Sequence, residues 1–262
     1  MVTFCSLVSG SSGNAAYLEY NGTSVLIDCG VSCKRICDAL LAVGKDPADI
    51  SAILVTHEHS DHIAGISVFS KKFNTPVYAT PKTLEEINHK KSVYPSLQHD
   101  ISAGVSFEIG SIGVLAFDIP HDAAQPVGYT FQVGNKKISI ATDMGKIDAE
   151  IAGLLRGSDF VMLEANHDLE MLKNGPYPYP LKARVLSSLG HLSNEQSSKL
   201  AAALARTGTR QMLLGHLSAT NNRPELALDF VTDFLSREQC IVGKDVQLSV
   251  APRFVPSPLF TF

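Results

Sequence analysis

One segment of the chain concentrates metal-binding residue types more than core packing can explain. Residues 56–62 read Thr-His-Glu-His-Ser-Asp-His, so His57, His59, Asp61 and His62 are nearly adjacent in sequence. Imidazole and carboxylate groups cannot be buried together without partners, because removing them from water is costly. On an exposed loop they would be harmless but would have no purpose. The pattern therefore indicates a metal site.

The position of this segment predicts how its side chains point. It follows Ile53-Leu54-Val55, a short apolar run that predicts a buried strand. Alternation along an extended chain puts His57 and His59 on one side of the segment. The turn that follows brings Asp61 and His62 back toward the same point. This arrangement suits two adjacent metal ions better than one.

Strand and helix patterns alternate along the rest of the chain. Strands are predicted at Phe4–Val8, Ala15–Tyr20, Ser24–Asp28, Ile53–Val55, Gly113–Asp118, Tyr129–Val133, Lys137–Ala141, Asp159–Leu163 and Gln211–Leu214. Helices are predicted at residues 32–43, after Ile63, at 195–205 behind a Ser193/Gln196 capping box, and from Pro224 with Leu226, Phe230 and Phe234 in register. The polar residues 88–100 predict an irregular loop. No linker divides the chain, so we expect one α/β domain over residues 1–262, with mixed sheets covered by helices.

Composition restricts the class of protein and its location. With 22 Lys and Arg against 26 Asp and Glu, the net charge of the chain is −4. The overall charge therefore does not attract nucleic acid. If the chain binds nucleic acid, bound cations or local groups must attract the phosphates. No apolar run reaches the roughly 18–20 residues of a membrane span, and no secretory signal opens the sequence. Five cysteines, an odd count, argue against a disulfide framework and favour the cytoplasm. We interpret Cys29, Cys33 and Cys37 as small buried hydrophobic residues, not as metal ligands.

Residues 56–65, Thr-His-Glu-His-Ser-Asp-His-Ile-Ala-Gly, resemble the signature of metallo-β-lactamase-fold hydrolases. The resemblance continues in order over nearly the whole chain and implies an αββα four-layer sandwich with helices on the outer faces. His121 matches the family's third-motif histidine, Asp143 its bridging aspartate and His216 its last histidine. By that analogy the first metal has the ligands His57, His59 and His121, the second has Asp61, His62 and His216, and Asp143 bridges them. Only nitrogen and oxygen donors are present, which suits Zn²⁺ or Mn²⁺.

Two further segments resemble the tRNase Z-like phosphodiesterases of this fold. Glu164 stands where those enzymes carry a catalytic glutamate, and His191 where they carry a proton-donating histidine. Protonating a departing alkoxide matters more for a phosphodiester than for a lactam or thioester. We therefore expect Glu164 to orient His191 as general acid, and Asp61 to bind metal and help orient the attacking hydroxide. The alternative is a helix-entry histidine and a surface carboxylate.

By overall pattern the chain is most similar to the YycJ (WalJ) group. The shared stretches are Ser9-Gly10-Ser11-Ser12-Gly13-Asn14, Asn166-His167-Asp168 and Gly215-His216-Leu217-Ser218. The resemblance implies a 5′-to-3′ exonuclease acting on DNA. We expect a nucleic acid substrate, no membrane and no obligate protein partner. Residues 144–215 are too few for the inserted domain of RNase J-like nucleases. The rival functions are a thioesterase or cyclic-phosphodiester hydrolase, and a non-enzymatic regulatory protein with a structural metal site.

Several residues around the site are candidate substrate contacts. Ser11, Ser12 and Asn14 lie in a loop that either cradles a phosphate or forms an ordinary turn. His167 and Ser193 are further candidates, and His167 is equally compatible with a solvated position. Lys173, Lys182, Arg184 and the apolar or aromatic residues Met171, Leu172, Tyr177 and Tyr179 flank Glu164 and His191, where they either contact a strand or serve solubility and packing.

Overall fold

Two seven-stranded mixed sheets form the frame of the protein, which the computed structural model describes over residues 1–262. The strands are β1 Val2–Val8, β2 Ala15–Tyr20, β3 Thr23–Ile27, β4 Ala52–Leu54, β5 Val77–Ala79, β6 Gln98–Asp100, β7 Ser106–Ile109, β8 Ile112–Asp118, β9 Val127–Val133, β10 Lys136–Ala141, β11 Phe160–Glu164, β12 Gln211–Gly215, β13 Gln247–Val250 and β14 Phe260–Thr261. The first sheet has the order β14-β1-β2-β3-β4-β5-β6, and the second has the order β13-β12-β11-β10-β9-β8-β7.

Nine helices connect the strands. They are α1 Cys33–Ala42, α2 Ser60–Ile63, α3 Ile66–Phe73, α4 Pro81–Lys90, α5 Ala149–Leu155, α6 Leu169–Asn174, α7 Tyr179–Leu186, α8 Asn194–Arg206 and α9 Pro224–Arg237. None of them is both long enough and apolar enough to span a bilayer.

The sheets and helices stack in four layers because each sheet buries both of its faces. One core lies between the sheets, where the rings of Phe4 and Phe160 approach to 4.5 Å. Burial of each such ring contributes roughly 1.5–3 kcal/mol. A second core packs the first sheet against α1, α3 and α4, and a third packs the second sheet against α5, α8 and α9. The predicted αββα sandwich is confirmed.

Two local predictions were wrong or misplaced. Residues 88–100 are irregular only in part, because Asn88–Lys90 end α4 and residues 98–100 form β6, an edge strand paired with β5. Residues 91–97 between them are a loop with one 3-10 turn at Pro95–Leu97. An edge strand with exposed side chains needs no apolar alternation, so its sequence does not look like a strand. In α9 the fully buried residues are Ala227, Val231 and Leu235, one position beyond the Leu226 series. Of that series Phe234 packs against the core while partly buried, and Phe230 is exposed.

The direction of the strands gathers the polar residues at one edge of the sandwich. Strands β3 and β4 run parallel, as do β10, β11 and β12, so the carboxyl ends of each set meet. Strand β8 points the same way as β10, because both are antiparallel to β9. The segments that follow these strands, including the short helix α2, carry every residue that the sequence analysis assigned to a metal. The candidate site therefore lies where the two sheets open at their carboxyl ends.

Candidate metal centre

Three residues at strand ends hold an unusual backbone conformation. Asp28, Asp143 and His216 have φ values of +63°, +60° and +54°, in the left-handed region that non-glycine residues seldom adopt. Each such residue costs of order 1–3 kcal/mol unless its surroundings hold it in place. Here the sharp turn at the strand end aims a polar side chain into the centre. Three of the six non-glycine residues with positive φ thus lie at the site.

The structure brings all seven predicted ligands together. His57, His59 and His121 form one group, and Asp61, His62 and His216 form a second, with the potential ligand atoms of each group within 4.8 Å of one another. Asp143 lies between the groups. Its Oδ1 is 3.9 Å from His121 Nε2 and 3.3 Å from His216 Nε2, and its Oδ2 is 3.5 Å from His62 Nε2.

Unpartnered buried atoms show that the centre fits a cation. His57 Nε2, His216 Nε2 and Asp143 Oδ2 are buried and make no hydrogen bond. Buried polar atoms in folded proteins are almost always bonded, so these three need a partner that the chain does not provide. A set of imidazole nitrogens and carboxylate oxygens suits a divalent ion such as Zn²⁺ or Mn²⁺.

Outer contacts hold most of the imidazoles by their Nδ1 atoms. His62 Nδ1 donates to Asp28 Oδ2 at 2.8 Å, and His57 Nδ1 lies 3.0 Å from the Thr56 hydroxyl, which itself donates to Asp28. His121 Nδ1 donates to the Gly190 carbonyl at 3.2 Å. Because Nδ1 is occupied, Nε2 is the nitrogen that remains for a metal.

His59 is oriented the other way round. Its Nε2 donates to the Asp122 carbonyl at 3.2 Å, and its Nδ1 lies 3.3 Å from His121 Nε2. His59 would therefore bind through Nδ1. The Asp122 carboxylate in turn forms a two-pronged ion pair with Arg184 of α7.

The negative charge of the carboxylates in the centre also favours the binding of cations. Burial lowers the pKa of His216, but Asp143, Asp61 and Glu164 outweigh burial and raise the pKa to about 10. The same opposition, with Asp143, Asp28 and Asp61 as the facing carboxylates, raises the pKa of His62. Without metal these carboxylates retain protons on the imidazoles, and divalent ions would replace those protons. Burial and the neighbouring histidines lower the pKa of His57, which leaves it neutral and able to coordinate.

Glu164 connects the predicted proton donor to a predicted ligand. Its Oε1 accepts from His191 Nδ1 at 2.8 Å and from His216 Nδ1 at 3.1 Å, and its Oε2 accepts from the backbone of Met144 and Leu192. Burial raises the pKa of Glu164, but His191 and His216 more than compensate and hold the pKa low. A fully buried, ionised carboxylate thus fixes both rings. His191 is 17% exposed and keeps Nε2 unbonded.

The predicted substrate contacts lie in different surroundings. Ser11 and Ser12 are exposed, whereas Asn14 is buried, with its Nδ2 3.3 Å from Asp61 Oδ2 and 3.1 Å from His62 Nε2. The Ser193 hydroxyl is buried and caps α8 by accepting from the Gln196 backbone, so the structure does not bring it to the open side of the site. His167 is also buried, which excludes the solvated alternative, and neither ring nitrogen is bonded.

Sequence reasoning missed two residues that support the centre. Asp28 holds His62, and Asn166 Nδ2 donates to the His216 carbonyl at 3.0 Å. A carboxylate directly after the apolar run Val25–Ile27 was the available indication for Asp28. Cys29 and Cys33 are buried in the core as expected, whereas Cys37 is only partly buried and packs against that core.

Comparison with known proteins identifies close relatives. The β-lactamase superfamily domain matches residues 23–217. Exodeoxyribonuclease WalJ of Streptococcus pneumoniae serotype 2 (strain D39 / NCTC 7466) is 38% identical over 92% of this chain and 91% of its own length. Exodeoxyribonuclease YycJ of Bacillus anthracis is 37% identical over 94% of this chain and 93% of its own. The metallo-β-lactamase fold protein YhfI from Bacillus subtilis has the same fold, with a TM-score of 0.75 at 14% identity over 98% of this chain and 99% of its own.

Replacing Asp143 tests whether one carboxylate serves both halves of the centre. We expect Asp143→Ala to deplete both metals, because its oxygens lie between the two histidine groups. Metal content per chain, measured by mass spectrometry after gel filtration, should fall to near zero. Asp38→Ala, on the exposed side of α1, is the control and should keep its metal. Two tightly bound ions in Asp143→Ala would contradict the bridging role.

The buried His167 predicts a pH dependence of stability. Burial lowers the pKa of His167 to about 4 in the folded protein, below about 6.5 in the unfolded chain. As pH falls below 6.5 the unfolded chain takes up a proton that the folded protein refuses, so stability falls until about pH 4. At pH 5 the loss from this residue is roughly 2 kcal/mol.

Urea unfolding at pH 7.5 and pH 5, at equal metal concentration, measures this difference. His167→Leu should lose less stability on acidification than the wild-type protein does. His89→Leu, which replaces an exposed histidine of α4, should behave like the wild type. Identical pH dependence in His167→Leu and wild type would refute the assignment.

Proposed function

The chain belongs to the β-lactamase superfamily, and on that premise we propose that it is a dinuclear metal-dependent phosphodiesterase, specifically a 5′-to-3′ DNA exonuclease. Two relatives that align with more than nine-tenths of the chain are exodeoxyribonucleases, which supports DNA as the substrate. The observation that carries the proposal is the Glu164–His191 pair beside the metal-binding residues. A histidine held by a buried carboxylate suits a leaving group that needs a proton.

The residues divide into two binding groups for the ions. His57, His59 and His121 would hold one ion, Asp61, His62 and His216 the other, and Asp143 both. Mn²⁺ and Zn²⁺ both fit the donor set. Bound there, the ions would lower the pKa of water and neutralise charge on the phosphate.

Asp61 has the position to orient the nucleophile. Its Oδ2 lies 3.5 Å from Nε2 of both His62 and His216 and accepts from Asn14. The other carboxylate oxygen makes no side-chain hydrogen bond and is left to accept one from the attacking water. Asn14 thereby fixes the rotamer of Asp61 as well as the position of its loop.

His191 has the position to protonate the departing oxygen. Its Nδ1 is committed to Glu164, so Nε2 is the nitrogen that faces substrate. The ring centroid lies 5.1 Å from that of His121 and 5.2 Å from that of His216, so the donor stands beside both metal-binding groups. The Glu164 carboxylate stabilises the protonated imidazolium and holds its tautomer once the proton has left.

Graded digestion of labelled oligonucleotides tests the proposed activity. A DNA strand labelled at its 3′ end should shorten stepwise from its 5′ end in the presence of Mn²⁺ or Zn²⁺, and product lengths over time show polarity directly. Exhaustive chelation should stop hydrolysis, and graded return of metal should restore it. Activity that survives chelation, or hydrolysis of thioesters or cyclic nucleotides with none of DNA, would overturn the proposal.

Replacing the proton donor should separate catalysis from metal binding. We expect His191→Ala to slow turnover roughly 10²- to 10⁴-fold, in keeping with loss of a general acid, while metal content stays intact. His89→Ala is a matched exposed control and should leave turnover unchanged. Steady-state kinetics together with metal analysis provide the measurement. Equal loss of bound metal in His191→Ala would reassign His191 as a ligand.

A further inference from the structure

The serine-glycine loop, residues 9–14, lies against the metal centre and presents unused donors. Ser9 Oγ accepts from the His216 backbone N–H at 2.8 Å, and Asn14 contacts Asp61 and His62 at the other end of the loop. Between these ties Ser11 and Ser12 are exposed, and neither backbone N–H makes a hydrogen bond. Backbone N–H groups without partners in an exposed loop are available as donors for an anion.

Arg253 lies directly against this loop although it is distant in sequence. Its Nη2 donates to the Leu217 carbonyl at 2.8 Å, one residue after His216. A methyl group at Gly10, where φ is +144°, would lie 2.7 Å from Arg253 Nη1. The guanidinium therefore packs on the glycine, and only a residue without a side chain permits this approach.

The positive charge of Arg253 has no counter-charge in the chain. Its Nη1 is buried without a partner. Burial lowers the pKa of Arg253, and the group that opposes this is the Tyr177 phenol, not a carboxylate. Arg184 and Arg206, by contrast, pair with Asp122 and Glu238. Partly buried cations are normally paired, so an anion belongs beside this loop.

We propose that the serine-glycine loop and Arg253 form the site for the terminal 5′-phosphate of the DNA strand. Ser11 and Ser12 contact the phosphate through their N–H and hydroxyl groups, and Arg253 is a positioning residue that supplies positive charge from beneath the loop. The inference rests on the proposed exonuclease function and names the end that this site recognises.

A terminal phosphate fits this position for reasons of charge and location. A phosphate monoester carries about −1.5 to −2 charges at pH 7, more than the single charge of an internal diester, so a cation under the loop distinguishes a strand end from its interior. The site adjoins His216 through Leu217. An enzyme that removes terminal nucleotides must hold the end of the strand close to the bond it breaks.

The ratio of kcat/KM for a 5′-phosphorylated oligonucleotide to that for its 5′-hydroxyl counterpart tests this site. In the wild-type holoenzyme we expect a ratio of roughly 10 to 100, the size of effect that hydrogen bonds to a charged group produce. Arg253→Gln should bring the ratio close to one, and Arg253→Lys, which keeps the charge, should retain part of it. Arg237→Gln, at the exposed end of α9, is the control and should preserve the wild-type ratio.

Each outcome bears on the proposal. A wild-type ratio near one, or a ratio that Arg253→Gln leaves unchanged, overturns the site even if the wild-type protein digests both strands and the exonuclease function stands. Competition by inorganic phosphate that is equal for both strands and lost in Arg253→Gln would assign the site to free phosphate instead. Failure to digest either strand would remove the proposed function together with this site.

Discussion

The mutual burial of carboxylates and imidazoles at the open end of the sandwich is the interaction on which the rest of the site depends. Asp61, Asp143 and Glu164 face His62 and His216 at distances of 3.1–3.5 Å. The buried carboxylates would not be stable there without compensating positive charge. Because the pKa values of His62 and His216 are raised, these imidazoles keep protons that compensate the negative charge. Divalent ions would replace those protons and supply more positive charge.

The fold makes this arrangement by ending several parallel strands at one edge. Each strand end supplies one or two polar residues, and left-handed turns at Asp28, Asp143 and His216 aim them inward. An outer set of hydrogen bonds then fixes the rings. Glu164 has two roles, because its carboxylate orients both a predicted metal ligand, His216, and the predicted proton donor, His191. Its removal would disturb both functions at once.

Residues could be assigned from sequence alone where they form a pattern with their immediate neighbours in the chain. The segment from His57 to His62 is informative by itself, because its ligands are adjacent and follow an apolar strand. His121, Asp143 and His216 carry no such local pattern and were assigned through the resemblance to metallo-β-lactamase-fold hydrolases. Apolar strand patterns predicted mixed sheets covered by helices, and the four-layer order came from the same resemblance. The polar edge strand β6 was not predicted.

Contacts between distant residues explain what the sequence left hidden. The role of Arg253 depends on its packing under Gly10, which is distant in sequence. The role of Asp28 likewise depends on its hydrogen bond with His62. Ser193 was correctly recognised as a helix cap, and that role occupies the hydroxyl that was also a candidate for substrate.

Anomalous X-ray diffraction from crystals soaked in Mn²⁺ or Zn²⁺ would locate the bound ions. We expect two peaks about 3.5–4 Å apart, one contacted by His57, His59 and His121 and the other by Asp61, His62 and His216, with Asp143 reaching both. A single peak, or peaks away from these side chains, would contradict it.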